Sequence, residues 1–254
     1  MKLSRRKFIA SAVRCGAAVG GGASWLRFAP PLFAATAAKP LKLCMLSGSE
    51  EYKSNESLAA FQDWVEKQQP IKCSRAFWKS KTELPGLDAL AGCDVMLLFT
   101  KRLEIPNDQL ELVKKYCLAG RPVVGLRTAS HAFQQWLELD RTILGGDYHG
   151  HYKAGDVTKV EIAGAAAKHP VLKGVGPFES VSKLYKNPSI AADTTLLLTG
   201  TIPEHKEPVA WTRKNGDGRV FYTSLGGPDD FQNKNFQTLL VNAIFWAAER
   251  EAVH

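Results

Sequence analysis

The stretch Pro122-Val-Val-Gly-Leu-Arg-Thr-Ala-Ser-His-Ala-Phe133 decides the predicted fold. Its apolar run, residues 123–126, has the length of a buried strand, and the apolar pattern after it resumes at helical spacing. The sequence therefore predicts a strand that turns sharply into a helix. In α/β enzymes such a turn lifts a nucleophile above the edge of the sheet. This turn contains no cysteine, and its polar residues are Arg127, Thr128, Ser130 and His131.

Strands and helices alternate on both sides of this turn. Such alternation predicts an α/β fold with a mainly parallel sheet and helices on both faces. Right-handed crossovers then place the loops 47–52, 100–102 and 127–131 at one edge of the sheet. The strand-like segments are 41–46, 71–78, 94–99 and 123–126, and the helix-like segments are 57–67, 86–90 and 107–117.

The second half of the chain predicts extra strands and one helix. Residues 208–225 read as a C-terminal β-hairpin around the glycine-containing turn 214–218. Further strands are predicted at 157–162 and 196–199, and a last helix at 236–248. Since there is no internal repeat or low-complexity linker, residues 39–254 are predicted to form a single domain.

The first 38 residues are predicted to be an export signal. Ser4-Arg-Arg-Lys-Phe-Ile9 fits the twin-arginine pattern, and Ala35-Thr36-Ala37 offers a small-residue cleavage site. The alternative is a chance arginine pair at a terminus. We therefore expect export by the twin-arginine route to the periplasm.

The charge distribution limits the classes of partner. Residues 1–37 carry six of the basic side chains and no acid, so the formal net charge of +8 falls to +2 without them. No basic stripe remains to predict nucleic-acid binding. No apolar run reaches the roughly 18–20 residues of a membrane helix, so no stable membrane anchor is expected. The sequence leaves open whether the chain forms a homo-oligomer.

Several segments together resemble the ThuA-like family of trehalose-utilisation proteins. They are Val124–Phe133, Leu144–His151, His169–Gly174, Pro208–Trp211 and Gly218–Phe231. The resemblance spans roughly residues 41–250. It implies a class I glutamine-amidotransferase-like fold, with a flavodoxin-like sheet and extra strands, and a link to carbohydrate metabolism.

The resemblance also implies what the turn cannot do. Aligning Gly125-Leu-Arg127 with the Gly-x-Cys of amidotransferases places Arg127 at the nucleophile position. A guanidinium is permanently charged and is not a nucleophile, so glutamine hydrolysis is not expected.

The leading hypothesis is an enzyme acting on a sugar or an oxidised sugar as a hydrolase, lyase or isomerase. His149 or His151 would serve as acid or base, and Asp229 would hold hydroxyl groups. The two histidines form an H-x-H pair that could also bind a divalent metal, with a third ligand from His131, Asp147 or Asp229. No metal or other cofactor is firmly predicted.

Eight residues are predicted to bind a small carbohydrate ligand: Arg127, Thr128, Ser130, His131, Glu50, Tyr52, Trp211 and Asp230. For some of them a structural role is the alternative. Arg127 could pair with a buried acid, Trp211 could lie in the core, and Asp230 could cap the last helix. Phe61, Trp64, Phe236 and Trp246 are predicted to be helix-face packing residues and not a ligand platform.

Two further hypotheses remain beside the enzyme. Ser130 and His131 are neighbours that point about 100° apart on a helix, so a direct nucleophile–base pair is not expected. The lack of the usual nucleophile favours a non-catalytic sugar-binding protein. An interaction module of a polysaccharide-degrading system is favoured if the cleft is filled.

Overall fold

The computed structural model describes residues 39–153 and 155–253, so the predicted export signal lies outside it. Nine strands are present in this part: β1 (Leu41–Gly48), β2 (Ile71–Phe77), β3 (Val95–Thr100), β4 (Val123–Leu126), β5 (Thr158–Ile162), β6 (Phe178–Ser180), β7 (Thr195–Ile202), β8 (His205–Asn215) and β9 (Gly218–Thr223). The α-helices are α1 (Ser54–Gln68), α2 (Asn107–Leu118) and α3 (Lys234–Ala247).

The strands form one mixed sheet in the order β2-β1-β3-β4-β9-β8-β7-β5-β6. The pairs from β2 to β9 are parallel, and the pairs from β9 to β6 are antiparallel. The α/β class is confirmed, but the prediction of a mainly parallel sheet is wrong. The reason is the short connections between β7, β8 and β9, since strands joined by tight turns can only run antiparallel.

Helices cover both faces of the sheet. The core beside α1 and α3 includes Leu43 and Met45 of β1, whereas Cys44 and Leu46 face the core beside α2. This alternation follows from the two-residue period of a strand. Among the described residues, no helix is long and apolar enough to cross a membrane.

The chain after β4 does not form the predicted α-helix. A short 3-10 helix spans Arg127–His131, and a π-helical turn follows at Asp140–Leu144. The backbone between them pairs with the loop after β3: Arg102 N donates to His131 O at 2.8 Å, and Leu103 N donates to Ala132 O at 2.9 Å. These long-range hydrogen bonds take up groups that an α-helix would need.

The last helix is capped by a different residue from the one predicted. Asn233 Oδ1 accepts hydrogen bonds from the backbone of Asn235 and Phe236, so Asp230 is not the cap. Asp230 instead begins a separate 3-10 turn, Asp230–Gln232.

A substitution at Gly218 tests how closely β9 packs against the backbone that follows α2. A Cβ at this position would lie 2.1 Å from the carbonyl oxygen of Gly120, which is backbone and cannot turn away. We expect Gly218→Ala to lower the free energy of unfolding by about 3 kcal/mol, measured in urea. The matched control is Gly164→Ala, where an added Cβ meets nothing within 4 Å. Equal effects of the two substitutions would contradict this close approach.

Candidate functional site

Arg127 occupies the sharp turn where β4 ends. Its φ is 44°, in the left-handed region that residues other than glycine adopt rarely. A strained strand-to-helix turn at the edge of an α/β sheet is the geometry that presents a nucleophile in related folds. Tyr222 Oη donates to Arg127 O at 2.7 Å and holds the turn from below. The structure thus has the nucleophile turn, with an arginine at its apex.

The side chain of Arg127 is fully buried. Its guanidinium lies between two aromatic rings, 4.3 Å from the centroid of Tyr52 and 4.5 Å from that of Tyr185. It donates to the carbonyl oxygens of Ser224 (2.6 Å) and Lys183 (3.2 Å) and to Tyr52 Oη (3.2 Å). Such cation–π contacts are worth roughly 0.5–2 kcal/mol each. The space above the turn is therefore filled by the protein's own side chains.

The charge of Arg127 is retained without a direct ion pair among the described residues. Burial alone would lower its pKa, but Tyr185, Tyr52 and the carboxylate of Asp230 outweigh burial and raise it. The predicted alternative of an ion pair with a buried acid is therefore not seen, and Asp230 acts on Arg127 only through its charge.

Asp230 fixes the turn that follows β9. Its Oδ2 accepts hydrogen bonds from the backbone of Gly226 (2.8 Å) and Gly227 (2.9 Å) and from Ser182 Oγ (3.1 Å). A Cβ at Gly227 would lie 2.2 Å from Ser182 Oγ, so the turn leaves no room for a larger residue there. Asp230 is buried and engaged, whereas the neighbouring Asp229 is exposed.

Ser130 and His131 form a pair that the sequence did not predict. Ser130 Oγ lies 3.0 Å from His131 Nδ1, because the tight 3-10 turn replaces the α-helix on which the two would point apart. Both side chains are buried. Burial, followed by the positive charges of Arg102, Lys101 and Arg127, lowers the pKa of His131 to about 3. The imidazole is therefore neutral at ordinary pH and a weak base.

Tyr148 covers this pair from outside. Its ring stacks on His131 with centroids 4.4 Å apart and lies 4.6 Å from the ring of Tyr185. Tyr148 is half-buried, so one part of the phenol faces solvent. It is the outermost member of an aromatic stack that closes over Arg127.

Charged side chains lie beside the stacked rings of Tyr148 and His131: Arg102 and Glu51 act on both rings, and Lys101 acts on His131. Together with Lys183, which lies against Glu51, they form what we call the edge patch: Glu51, Lys101, Arg102, Tyr148 and Lys183. Glu51 pairs with Lys101 and lies 3.7 Å from Lys183 Nζ. Burial would raise the pKa of Glu51, but the two lysines outweigh it and the pKa is lowered. With three cations and one carboxylate, the edge patch is positively charged. The convergence predicted for the loops after β1, β3 and β4 is confirmed here.

The two histidines of the H-x-H pair are exposed and have different partners. His149 Nε2 lies 3.0 Å from Asp147 Oδ1, and Asp147 also accepts hydrogen bonds from Arg141 (2.7 Å) and Ser189 (2.8 Å). His151 Nδ1 lies 2.8 Å from the carbonyl oxygen of Tyr152. Within residues 39–153 and 155–253, no group of three or more His, Cys, Asp or Glu side chains is arranged to hold a metal ion.

The remaining predicted residues lie in different settings. Trp211 is fully buried and donates from Nε1 to Leu144 O at 2.8 Å, so the structure places it in the core. Thr128 is also buried, and Glu50 is exposed near the start of α1. Sequence reasoning missed Tyr148 and Lys183. The only available signal was that Tyr148 adjoins His149 in a glycine-rich loop.

The fold and the turn define an α/β protein with a nucleophile-type turn that carries no cysteine. The sequence model of the ThuA family, described as trehalose utilisation, matches residues 43–247, so the chain belongs to this family. No curated protein matches the chain.

Solved structures share this fold at low sequence identity. A ThuA-like protein from Bacteroides uniformis is 18% identical with a TM-score of 0.65, over 83% of this chain and 93% of that one. One from Parabacteroides merdae is 17% identical with a TM-score of 0.66, over 85% and 92%. A cytoplasmic protein from Salmonella typhimurium is 14% identical with a TM-score of 0.56, over 82% and 99%.

Asp140 supports the loop that carries Tyr148. Its Oδ2 accepts a hydrogen bond from Tyr148 N at 2.9 Å, while its Oδ1 has no partner among the described residues. Burial is the main cause that raises the pKa of Asp140 from 3.8 to about 6. The folded protein therefore binds this proton more tightly than the unfolded chain does. The contribution to stability is present below pH 3.8 and is lost as the pH rises through 6.

We expect Asp140→Asn to gain stability relative to the native protein as the pH rises from 4 to 7. The gain is at most about 3 kcal/mol, since each unit of pKa shift corresponds to about 1.4 kcal/mol. Urea unfolding at several pH values measures it. Asp88→Asn, which removes an exposed carboxylate, is the control and should show a constant difference. A constant difference for Asp140→Asn as well would show that the buried carboxyl does not titrate in this range.

Proposed function

We propose that this ThuA-family protein binds a carbohydrate-derived acid at the edge patch, and that its role is binding rather than cleavage of this ligand. The observation that carries the proposal is a positively charged, tyrosine-centred surface lying over a turn that is filled from within. A sugar-binding role was the second hypothesis from the sequence, and the burial of Arg127 favours it over the enzyme.

The edge patch has the groups that an oxidised sugar requires. Lys101, Arg102 and Lys183 can donate charge-assisted hydrogen bonds to a sugar carboxylate. The exposed part of Tyr148 offers an apolar ring face with a polar tip, which suits the mixed surface of a sugar. Arg127 contributes its positive field from below rather than a direct contact.

The groups at the turn are poorly suited to catalysis. Arg127 cannot act as a nucleophile. His131 lies beside Ser130 but has a pKa of about 3, far below the value near the working pH that an effective general base requires. Binding is therefore better supported than chemistry at this position.

Acid/base catalysis by His149 is a second candidate. The observation that favours it is the 3.0 Å contact between His149 Nε2 and Asp147 Oδ1, because a carboxylate can orient an imidazole. His149 is exposed and next to Tyr148 in the chain. In this reading His151 and Asp229 would assist at the same ligand.

We expect Arg102→Glu to weaken binding of D-glucuronate at least about tenfold, because it replaces an attractive charge with a repulsive one. Isothermal titration calorimetry at low and high salt measures the affinity, which should fall as salt screens the edge patch. Lys67→Glu, an exposed lysine in the last turn of α1, is the matched control.

The outcomes separate the two candidates. If the protein does not bind glucuronate, or if Arg102→Glu binds it as tightly as the native protein does, the edge patch is not a site for sugar acids. Chemical conversion of glucuronate that is lost in His149→Asn would favour catalysis instead.

Export to the periplasm is also part of the proposal, supported by the Arg5-Arg6 pair and the small residues at 35–37. We expect the chain expressed in a bacterium with a twin-arginine system to reach the periplasm shortened near residue 37. Replacing both arginines with lysine should retain it in the cytoplasm at full length. Fractionation with mass spectrometry tests this, and periplasmic delivery of the double variant would exclude the twin-arginine route.

A further inference from the structure

A second concave surface lies between α1 and the segment that follows β9. It is a cavity of about 390 Å³, within the usual size range of small-molecule pockets. Its floor is aromatic and consists of Phe61, Trp64 and Phe231. The ring centroids of Phe61 and Trp64 are 5.9 Å apart, and those of Phe61 and Phe231 are 6.3 Å apart. Trp64 is only half-buried, so the helix-face residue predicted to pack in the core also faces this cavity.

The rim of the cavity consists of polar side chains, and four of them have no hydrogen-bond or ion-pair partner among the described residues. The side chains of Lys53, Glu56, Ser57 and Gln232 form no hydrogen bond or ion pair to another described residue, although every one of them lines the cavity. Across from them, Gln237 uses its Nε2 to hold Phe231 O at 2.8 Å, which leaves its Oε1 as an acceptor. The rim therefore combines hydrogen-bond donors and acceptors that are available to a ligand.

The charges on the rim balance each other. One lysine and one glutamate leave no net charge, in contrast to the edge patch with its three cations. An aromatic floor with a neutral rim of two amides, a hydroxyl and one charge of each sign suits a ligand with an apolar face and several hydroxyl groups. A pyranose ring without a charged group has this chemistry, whereas a sugar acid would gain no net electrostatic attraction here.

The cavity and the edge patch have no side chain in common. Asp230 turns its carboxylate towards Gly226, Gly227 and Ser182, on the side of Arg127. The next residue, Phe231, turns its ring towards Phe61 and the cavity. Ligands at the two places would thus contact different side chains.

We propose that the cavity lined by Trp64, Phe61 and Phe231 binds a neutral pyranose ring. This inference rests on the proposed function, since it adds a second, uncharged subsite to a carbohydrate-binding protein. The ring packs its apolar face on Trp64, and its hydroxyl groups hydrogen-bond to Glu56, Gln232 and Lys53.

The probes are methyl β-D-glucopyranoside, for the neutral ring, and D-glucuronate, for the edge patch. Saturation-transfer NMR detects each ligand on the whole chain, and calorimetry gives its affinity. We expect Trp64→Ala to weaken binding of the glucopyranoside at least about tenfold, within the range for loss of an aromatic contact at a binding site, and to leave glucuronate affinity unchanged. The rim variant Gln232→Ala, on an exposed side chain, should weaken it without affecting folding.

Trp246→Ala is the matched control, because Trp246 is also a half-buried tryptophan on a helix but lies outside this cavity. If both Trp64→Ala and Gln232→Ala bind the glucopyranoside as tightly as the native protein does, the cavity is not its binding site. The proposed function would be unaffected by that result. Binding of glucuronate alone would overturn this inference as well. Binding of neither probe would overturn the proposed function and this inference together.

Discussion

The burial of the Arg127 guanidinium is the constraint on which the carboxyl edge of this protein depends. Moving a charged group out of water costs several kcal/mol unless other polar groups replace the water. Here the replacement comes from three separate parts of the chain: Tyr52 after β1, the carbonyl group of Lys183, and the carbonyl group of Ser224 at the end of β9. Each of these groups is held in place by its hydrogen bond to the buried guanidinium. The arginine thus orders the loops that meet at the end of β4.

The same constraint links the interior to the surface. Tyr185 stacks against Arg127 on one side and lies beside Tyr148 on the other, and Tyr148 carries the stack to His131 and to solvent. Burial is the main cause that lowers the pKa of His131, and the positive charges of Arg102, Lys101 and Arg127 lower it further. The charges that make the surface attractive to anions therefore also oppose protonation of the imidazole.

Local patterns in the sequence predicted the elements whose stabilising contacts are local or periodic. The buried strands, the hairpin of β8 and β9 and the meeting of the loops all follow from apolar period, turn residues and strand direction. The failures have long-range causes. The helix expected after His131 is replaced by hydrogen bonds to Arg102 and Leu103, and the carboxylate of Asp230 is taken up by Ser182 together with the nearby backbone of Gly226 and Gly227. Neither the loop after β3 nor Ser182 can be identified from spacing along the chain, and the same is true of Tyr148.

The position of β9 has a consequence for how the protein is made. β9 pairs with β4, nearly a hundred residues earlier in the chain, and separates the parallel half of the sheet from the antiparallel half. During synthesis, β4 is therefore an open strand edge until almost the whole chain has emerged. Pairing over such a sequence separation is slow, and an unpaired edge is a site of aggregation. The nascent chain consequently exposes this edge while all the residues between β4 and β9 are made, and the arginine turn gains its contacts with Tyr222 and Ser224 only after the last strand has arrived.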